Sequence, residues 1–388
     1  MLHRVYFAPG MFGFGRLGSY DYFTHLEEAL SAELEREGDE MRSYVVDVPP
    51  TASIRKRAAR LANLVKETAT DGSSLIHLVG HSTGGLDARL VASPTAHLPG
   101  TARREHVWLD RLVSVTTLNT PHYGTPLASF FTTVSGQRML YALSALTYIG
   151  LSMGAPPLAA ASALVVAFGR VDHALGMELK VLDRATDSLL KVLEPARSSE
   201  VRGFLDAIKQ DQGAMVQLMP EAMDLFQAGV EDRPGLRYQS VVSSAPPPSA
   251  LGLARSVVRP WTGISRTVFT TLYGLTSRYD ERYPCAAPDA GEDAERALVQ
   301  AFGRSLGVRA NDGVVPTRSQ IWGDVVWAGH ADHLDVLGHF LDDAPREKGA
   351  EAAHVDWLSS GAGFGRAQFG ELTRAVAAGM LAASRART

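Results

Sequence analysis

Residues 75–91 read "LIHLVGHSTGGLDARLV", and this stretch decides the fold. An apolar run, Leu75–Val79, leads into Gly80-His81-Ser82-Thr83-Gly84 and then into a helix-like segment. A G-x-S-x-G pattern between a strand and a helix sets its serine on a sharp turn, where neighbouring backbone leaves room only for glycine. An inert Gly/Ser turn would satisfy the same short pattern. The strand before it, the helix after it and the additional Gly85 favour a nucleophile.

Outward from this turn, short β-branched runs alternate with helical periodicity, which predicts an α/β fold with a mainly parallel sheet. Strands are expected at Arg4–Ala8, Ser43–Val48, Leu75–Val79, Leu112–Leu118, Tyr238–Ser243 and Asp324–Ala328. Helices are expected at Asp21–Glu37, Ser53–Thr68 and Ala367–Ala383. Residues 128–237 break the alternation with a largely helical pattern and read as an insertion, leaving 1–127 and 238–388 as the core. A second insertion, from 245 to about 309, contains "APPPS" and "RYPCAAPDAG" and reads as irregular. Both insertions suit excursions above the sheet's carboxyl edge, where α/β proteins bind ligands.

Within the first insertion, residues 139–169 carry no charge and are long enough for a membrane span. Gly154-Ala155-Pro156-Pro157 interrupts them, so two shorter apolar helices are expected. They suit the core of a cap, or a lid meeting acyl chains or a lipid or polymer surface.

The chain has 388 residues, a formal charge of -4 and one cysteine, Cys285. That charge gives no argument for nucleic acid, and one cysteine excludes a disulfide framework and a cysteine-rich zinc site. The opening "HRVYFAP" enters a strand at once, with no secretory signal visible, which points to the cytoplasm.

A serine hydroxyl needs a positioned base, itself oriented by an acid, in the chain order Ser, acid, His for this architecture. "ANDGVVPTRSQ" supplies Asp312 in an Asn-Asp-Gly turn, and "WAGHADHLDVLGHF" supplies His333 shortly after the last strand. His330 and His339 compete for the base, and Asp324, Asp332 and Asp335 for the acid.

"FAPGMFGF", "GHSTGGLDARLV", "LNTPHYGTPLA", "NDGVVPTRSQ" and "ADHLDVLGHF" occur in an order that resembles the α/β-hydrolase superfamily, more narrowly the bacterial lipases and esterases. The resemblance implies an α/β-hydrolase fold with a helical cap, Ser82 as nucleophile, Asp312 as acid and His333 as base. It implies an oxyanion hole from the backbone N–H groups of Met11 and Thr83, with Phe12, Phe14 and His81 on the substrate side. The activity it implies is hydrolysis of apolar acyl esters through an acyl-enzyme, with acyl transfer or polyester depolymerisation as the alternative. A non-enzymatic lipid-binding protein on the same fold is the reading from another class. Pro9-Gly10 departs from the His-Gly common in the family, which removes the hydrogen bonds that histidine would make. Some relatives hold structural calcium near the base; Asp335 has a suitable offset from His333 but no identifiable partner ligand, and no cofactor is expected. His122, in the substrate-facing loop "NTPHYGTPLASFF", reads as structural.

Gly13-Phe14-Gly15-Arg16-Leu17-Gly18 also satisfies the G-x-G-x-x-G dinucleotide pattern. That fingerprint needs a strand ending at its first glycine and a helix starting at its last. Here the strand ends by Pro9 and the helix starts near Asp21, so no dinucleotide site is expected. Gly10 and Gly13 instead let the backbone turn around Met11.

Overall fold

The computed structural model describes residues 1–11, 16–17, 20–49, 51–100, 106–153, 203, 206–249, 260–341, 356 and 358–387. Six parallel strands form the sheet: β1 (Leu2–Ala8), β2 (Glu40–Val45), β3 (Leu75–His81), β4 (Leu112–Leu118), β5 (Arg237–Ser243) and β6 (Asp324–Gly329), in the order β2-β1-β3-β4-β5-β6. The order reverses at β1, whose neighbours β2 and β3 lie on opposite sides. The loops leaving the carboxyl ends of β1 and β3 therefore flank the switch point where this architecture places ligands. The edge strand β2 starts three positions earlier than its sequence suggests, paired from Leu2↔Glu40 to Phe7↔Val45.

Side-chain alternation sorts the core into two layers. Tyr6 and Ala8 pack with Leu61 and Val65 of the helix Ile54–Thr68 and with Leu86 and Val91 of the helix Thr83–Ala92. Val5 and Phe7 pack with Leu26 and Leu30 of the helix Thr24–Arg36 and with Leu372 and Val376 of the helix Arg366–Arg385. Ser53 caps the helix Ile54–Thr68 by accepting from the Lys56 amide, satisfying one of its orphan donors.

The second insertion is more regular than its sequence suggests. Residues Pro260–Thr276 and Glu292–Phe302 are helical. The first is rich in Thr and Gly, poor helix formers. Tertiary burial overrides that preference: Ile264, Val268, Phe269, Leu272 and Leu275 enter the core along one face. Thr267, Thr270 and Thr271 satisfy their hydroxyls on carbonyls one turn back, at 2.8–3.0 Å. From the end of the first core segment through residues 128–237, the helices Pro126–Phe131, Val134–Met153, Gly213–Gln217 and Pro220–Gly229 are described. Residues 154–169 of the charge-free run lie outside the described residues. No described helix is long and apolar enough to cross a membrane.

One buried ion pair ties the two helices of one layer to the loop after β1. Arg57 donates from Nε to Asp87 Oδ2 at 2.9 Å, with Nη2 at 2.8 Å from the same oxygen, and both residues are fully buried. Arg57 Nη2 also donates to the Pro9 carbonyl. Removing one member leaves an uncompensated buried charge, so Asp87→Ala should lower unfolding free energy by about 3–5 kcal/mol in denaturant titrations. A loss below about 1 kcal/mol would show the pair to be dispensable.

Candidate active site

Ser82 occupies the turn between β3 and the helix Thr83–Ala92, with φ 55° and ψ -127°. A non-glycine residue holds such angles only where its surroundings leave no alternative, at about 1–3 kcal/mol. Those surroundings are glycines. A Cβ on Gly80 would lie 2.3 Å from Gly84 O, one on Gly84 would lie 1.9 Å from Ala8 O, and one on Gly85 would lie 2.0 Å from Thr120 Oγ1. The Ser82 amide still donates to Leu118 O at 2.8 Å, so the turn is pinned to β4. Across the switch point, Gly10 sits so close that a Cβ there would meet Ser82 Cβ at 2.9 Å.

His333 and Asp312 come together from two loops. His333 Nδ1 lies 2.7 Å from Asp312 Oδ2, and the His333 amide donates to Asp312 O at 3.0 Å. A carboxylate oxygen can only accept, so a ring proton belongs on Nδ1, and in the neutral ring Nε2 is then the nitrogen with the lone pair. Asp312 is fully buried and well supplied with donors. Its Oδ1 accepts from the Val314 and Val315 amides at 2.8 and 2.7 Å, and its Oδ2 from Gln320 Nε2 at 3.2 Å.

The competing residues are engaged elsewhere. His330 is exposed, beside Ser244 O and the Phe302 ring, and His339 Nε2 donates to the Tyr22 carbonyl at 3.1 Å. Asp324 pairs with Arg237 at 3.0 Å. His122 is buried between Arg89 and Thr117, a structural position. His81, expected on the substrate side, is placed otherwise: it is fully buried, with Nδ1 2.7 Å from Tyr22 Oη and Nε2 2.8 Å from the His333 carbonyl. A strand-end position turned into the protein gives both nitrogens protein partners. Phe12 and Phe14 lie outside the described residues.

Met11, Ser82 and Thr83 line one narrow apolar cavity with Pro121, Thr125, Leu127, Ala128, Phe131, Met215, Leu218, Val314 and Val315. Among the described residues neither the Met11 nor the Thr83 amide has a protein acceptor. Sequence reasoning missed Tyr22, Gln320 and most of these walls. The i, i+1, i+4 spacing of Leu127, Ala128 and Phe131 was the available signal for one wall. The helix after the opening glycines begins only at Thr24, so no helix N-terminus meets the dinucleotide pattern.

Asp332 and Asp335 flank His333, and each accepts from neighbouring backbone amides. Asp332 Oδ1 accepts from the Leu334 and Asp335 amides at 3.0 and 3.1 Å, and Asp335 Oδ2 from the Asp332 amide at 2.8 Å. No cluster of three or more His, Cys, Asp or Glu side chains is placed to hold a metal among the described residues. Burial, with the Asp356 charge nearby, pushes the Asp335 carboxyl up to about 8, and burial beside Asp335 raises Asp332 well above the usual range. The folded chain thus holds protons that the unfolded chain has released, and stability falls as pH rises from the ordinary carboxyl value of 3.8 toward 8. Asp335→Asn keeps the acceptor and removes the titration. Its melting temperature should decline less than wild type's across that window, with the largest gain at the alkaline end; parallel profiles would refute the assignment.

No family model matches the chain. A triacylglycerol lipase from Vibrio cholerae is 31% identical over 153 residues, covering 39% of this chain and 42% of that protein, so the match spans less than half of the relative's length. A triacylglycerol lipase from Pseudarthrobacter phenanthrenivorans is 23% identical over 291 residues, 74% of this chain and 73% of that protein. Among solved structures, the Staphylococcus hyicus lipase aligns with a TM-score of 0.48 at 16% identity, over 99% of this chain and 96% of that one. The sheet is that of an α/β-hydrolase fold, and the sequence similarities, all distant or partial, are to bacterial triacylglycerol lipases.

Proposed function

We propose that the chain is a serine carboxylic-ester hydrolase for apolar acyl esters, working through an acyl-enzyme on Ser82. The observation that carries this reading is the His333–Asp312 pair at 2.7 Å, which leaves Nε2 as a proton acceptor on the ring. Its support is the strained Ser82 turn, which lines one cavity with Met11 and Thr83.

In the proposed reaction His333 Nε2 takes the Ser82 proton as Oγ attacks the ester carbonyl. Asp312 stabilises the imidazolium, and the Met11 and Thr83 amides receive the charge that develops on the carbonyl oxygen. His333 then protonates the leaving alcohol, and water activated by the same base releases the acid. Leu127, Phe131, Met215 and Leu218 offer the acyl chain apolar surface, three of them from residues 128–237, the proposed cap. Acyl transfer or polyester depolymerisation would use the same groups, with an alcohol or a polymer segment admitted in place of water or a small ester.

Incubation with a fluorophosphonate probe tests the reading. Wild type should label covalently, and Ser82→Ala should not. Asp312→Asn should lower kcat on a p-nitrophenyl ester by about 10⁴-fold, because the ring loses its proton arrangement. A folded wild type that never labels at Ser82 sinks the hydrolase reading and leaves a lipid-binding protein on this fold. A sharp preference for acetyl over longer chains would count against an apolar acyl pocket.

A further inference from the structure

Tyr22 lies buried between the two loops that carry the candidate site, and its hydroxyl has one consistent hydrogen-bonding pattern. The His333 carbonyl can only accept, so His81 Nε2, 2.8 Å away, must carry a ring proton. Burial first, and His333 beside it second, keep the His81 ring neutral, so Nδ1 is a bare acceptor. Tyr22 Oη, 2.7 Å from Nδ1, must then donate to it, and the phenol oxygen accepts from the Gly10 amide. The polarity runs one way: Gly10 N–H to Tyr22, Tyr22 to His81, His81 to the His333 carbonyl. At one end the next residue is Met11. At the other, the His333 ring packs 4.6 Å from the His81 ring.

We infer that Tyr22 and His81 are positioning residues, which hold the Met11 amide and the His333 ring in one mutual arrangement. This rests on the ester-hydrolase reading. An oxyanion donor works only when fixed where charge develops, and Gly10, without a side chain, restrains itself little. Pro9 brings no side-chain hydrogen bond to that loop. The restraint comes from outside, through Arg57 on the Pro9 carbonyl and Tyr22 on the Gly10 amide. His339 anchors Tyr22 in turn by donating to its carbonyl.

The test compares Tyr22→Phe, His81→Leu and His81→Gln in the full chain. Tyr22→Phe and His81→Leu should lower kcat on a p-nitrophenyl ester by about 10- to 100-fold, with KM within about twofold, since misplacing a reacting group by about 1 Å has that effect. Fluorophosphonate labelling should slow in proportion. Glutamine can donate to the carbonyl and accept from the phenol, so His81→Gln should recover most of the loss. Tyr22→Phe combined with His81→Leu should be little worse than either alone, because both break one chain. Unchanged kcat in the two disruptive variants of an active wild type overturns the inference, as does a loss that follows only the unfolded fraction and is not recovered by His81→Gln. Hydrogen exchange reads the bridge independently of turnover: Tyr22→Phe should speed exchange at the Gly10 amide and in the loop around His333. Unchanged exchange also overturns the inference, whereas a wild type that neither labels nor turns over removes the hydrolase reading instead.

Discussion

The contact between Gly84 and the Ala8 carbonyl is the constraint on which the rest of the site depends. No carbon atom fits between them, so the helix Thr83–Ala92 begins directly over the end of β1. That approach forces the turn at Ser82 into its strained dihedrals and brings the loop after β1 beside the serine. Arg57 and Asp87 hold the same junction from below, one on each packed helix, with Arg57 reaching the Pro9 carbonyl. The stability released by the surrounding apolar layers is thus used locally to maintain a conformation that no serine adopts by preference.

Much of this was legible because the relevant signals are local. Strand runs around Val5, Leu78 and Val115 alternate or stay apolar in ways that sheet burial dictates, and the glycines around Ser82 have a steric reason visible in five residues. Asp312 was legible for a similar reason: an Asn-Asp-Gly turn offers its carboxylate neighbouring amides, here those of Val314 and Val315. The choice among His330, His333 and His339 was less accessible. It depends on which ring reaches a carboxylate twenty-one positions away, and nearby sequence does not encode that reach.

The readings that differed share one cause. His81 looked like a substrate contact because it adjoins the nucleophile, yet its neighbours are set by Tyr22 and by a carbonyl 252 positions along the chain. The helix Pro260–Thr276 looked irregular because threonine and glycine weaken local preference, and only its buried face decides otherwise. In each case tertiary partners outweighed local propensity, which is where single-sequence reasoning loses its footing.

The wide separation of the His81–His333 contact has a consequence for how the chain reaches its working form. β1, β3 and β4 can pair, and the serine turn can close, from the first third of the sequence alone. The loop carrying His333 lies beyond both β5 and β6 along the chain. Contacts of such high sequence separation form against a large loop-closure entropy and come late in assembly. A chain that ends after the serine turn therefore still lacks the His333 ring, which the sequence supplies 252 positions beyond His81.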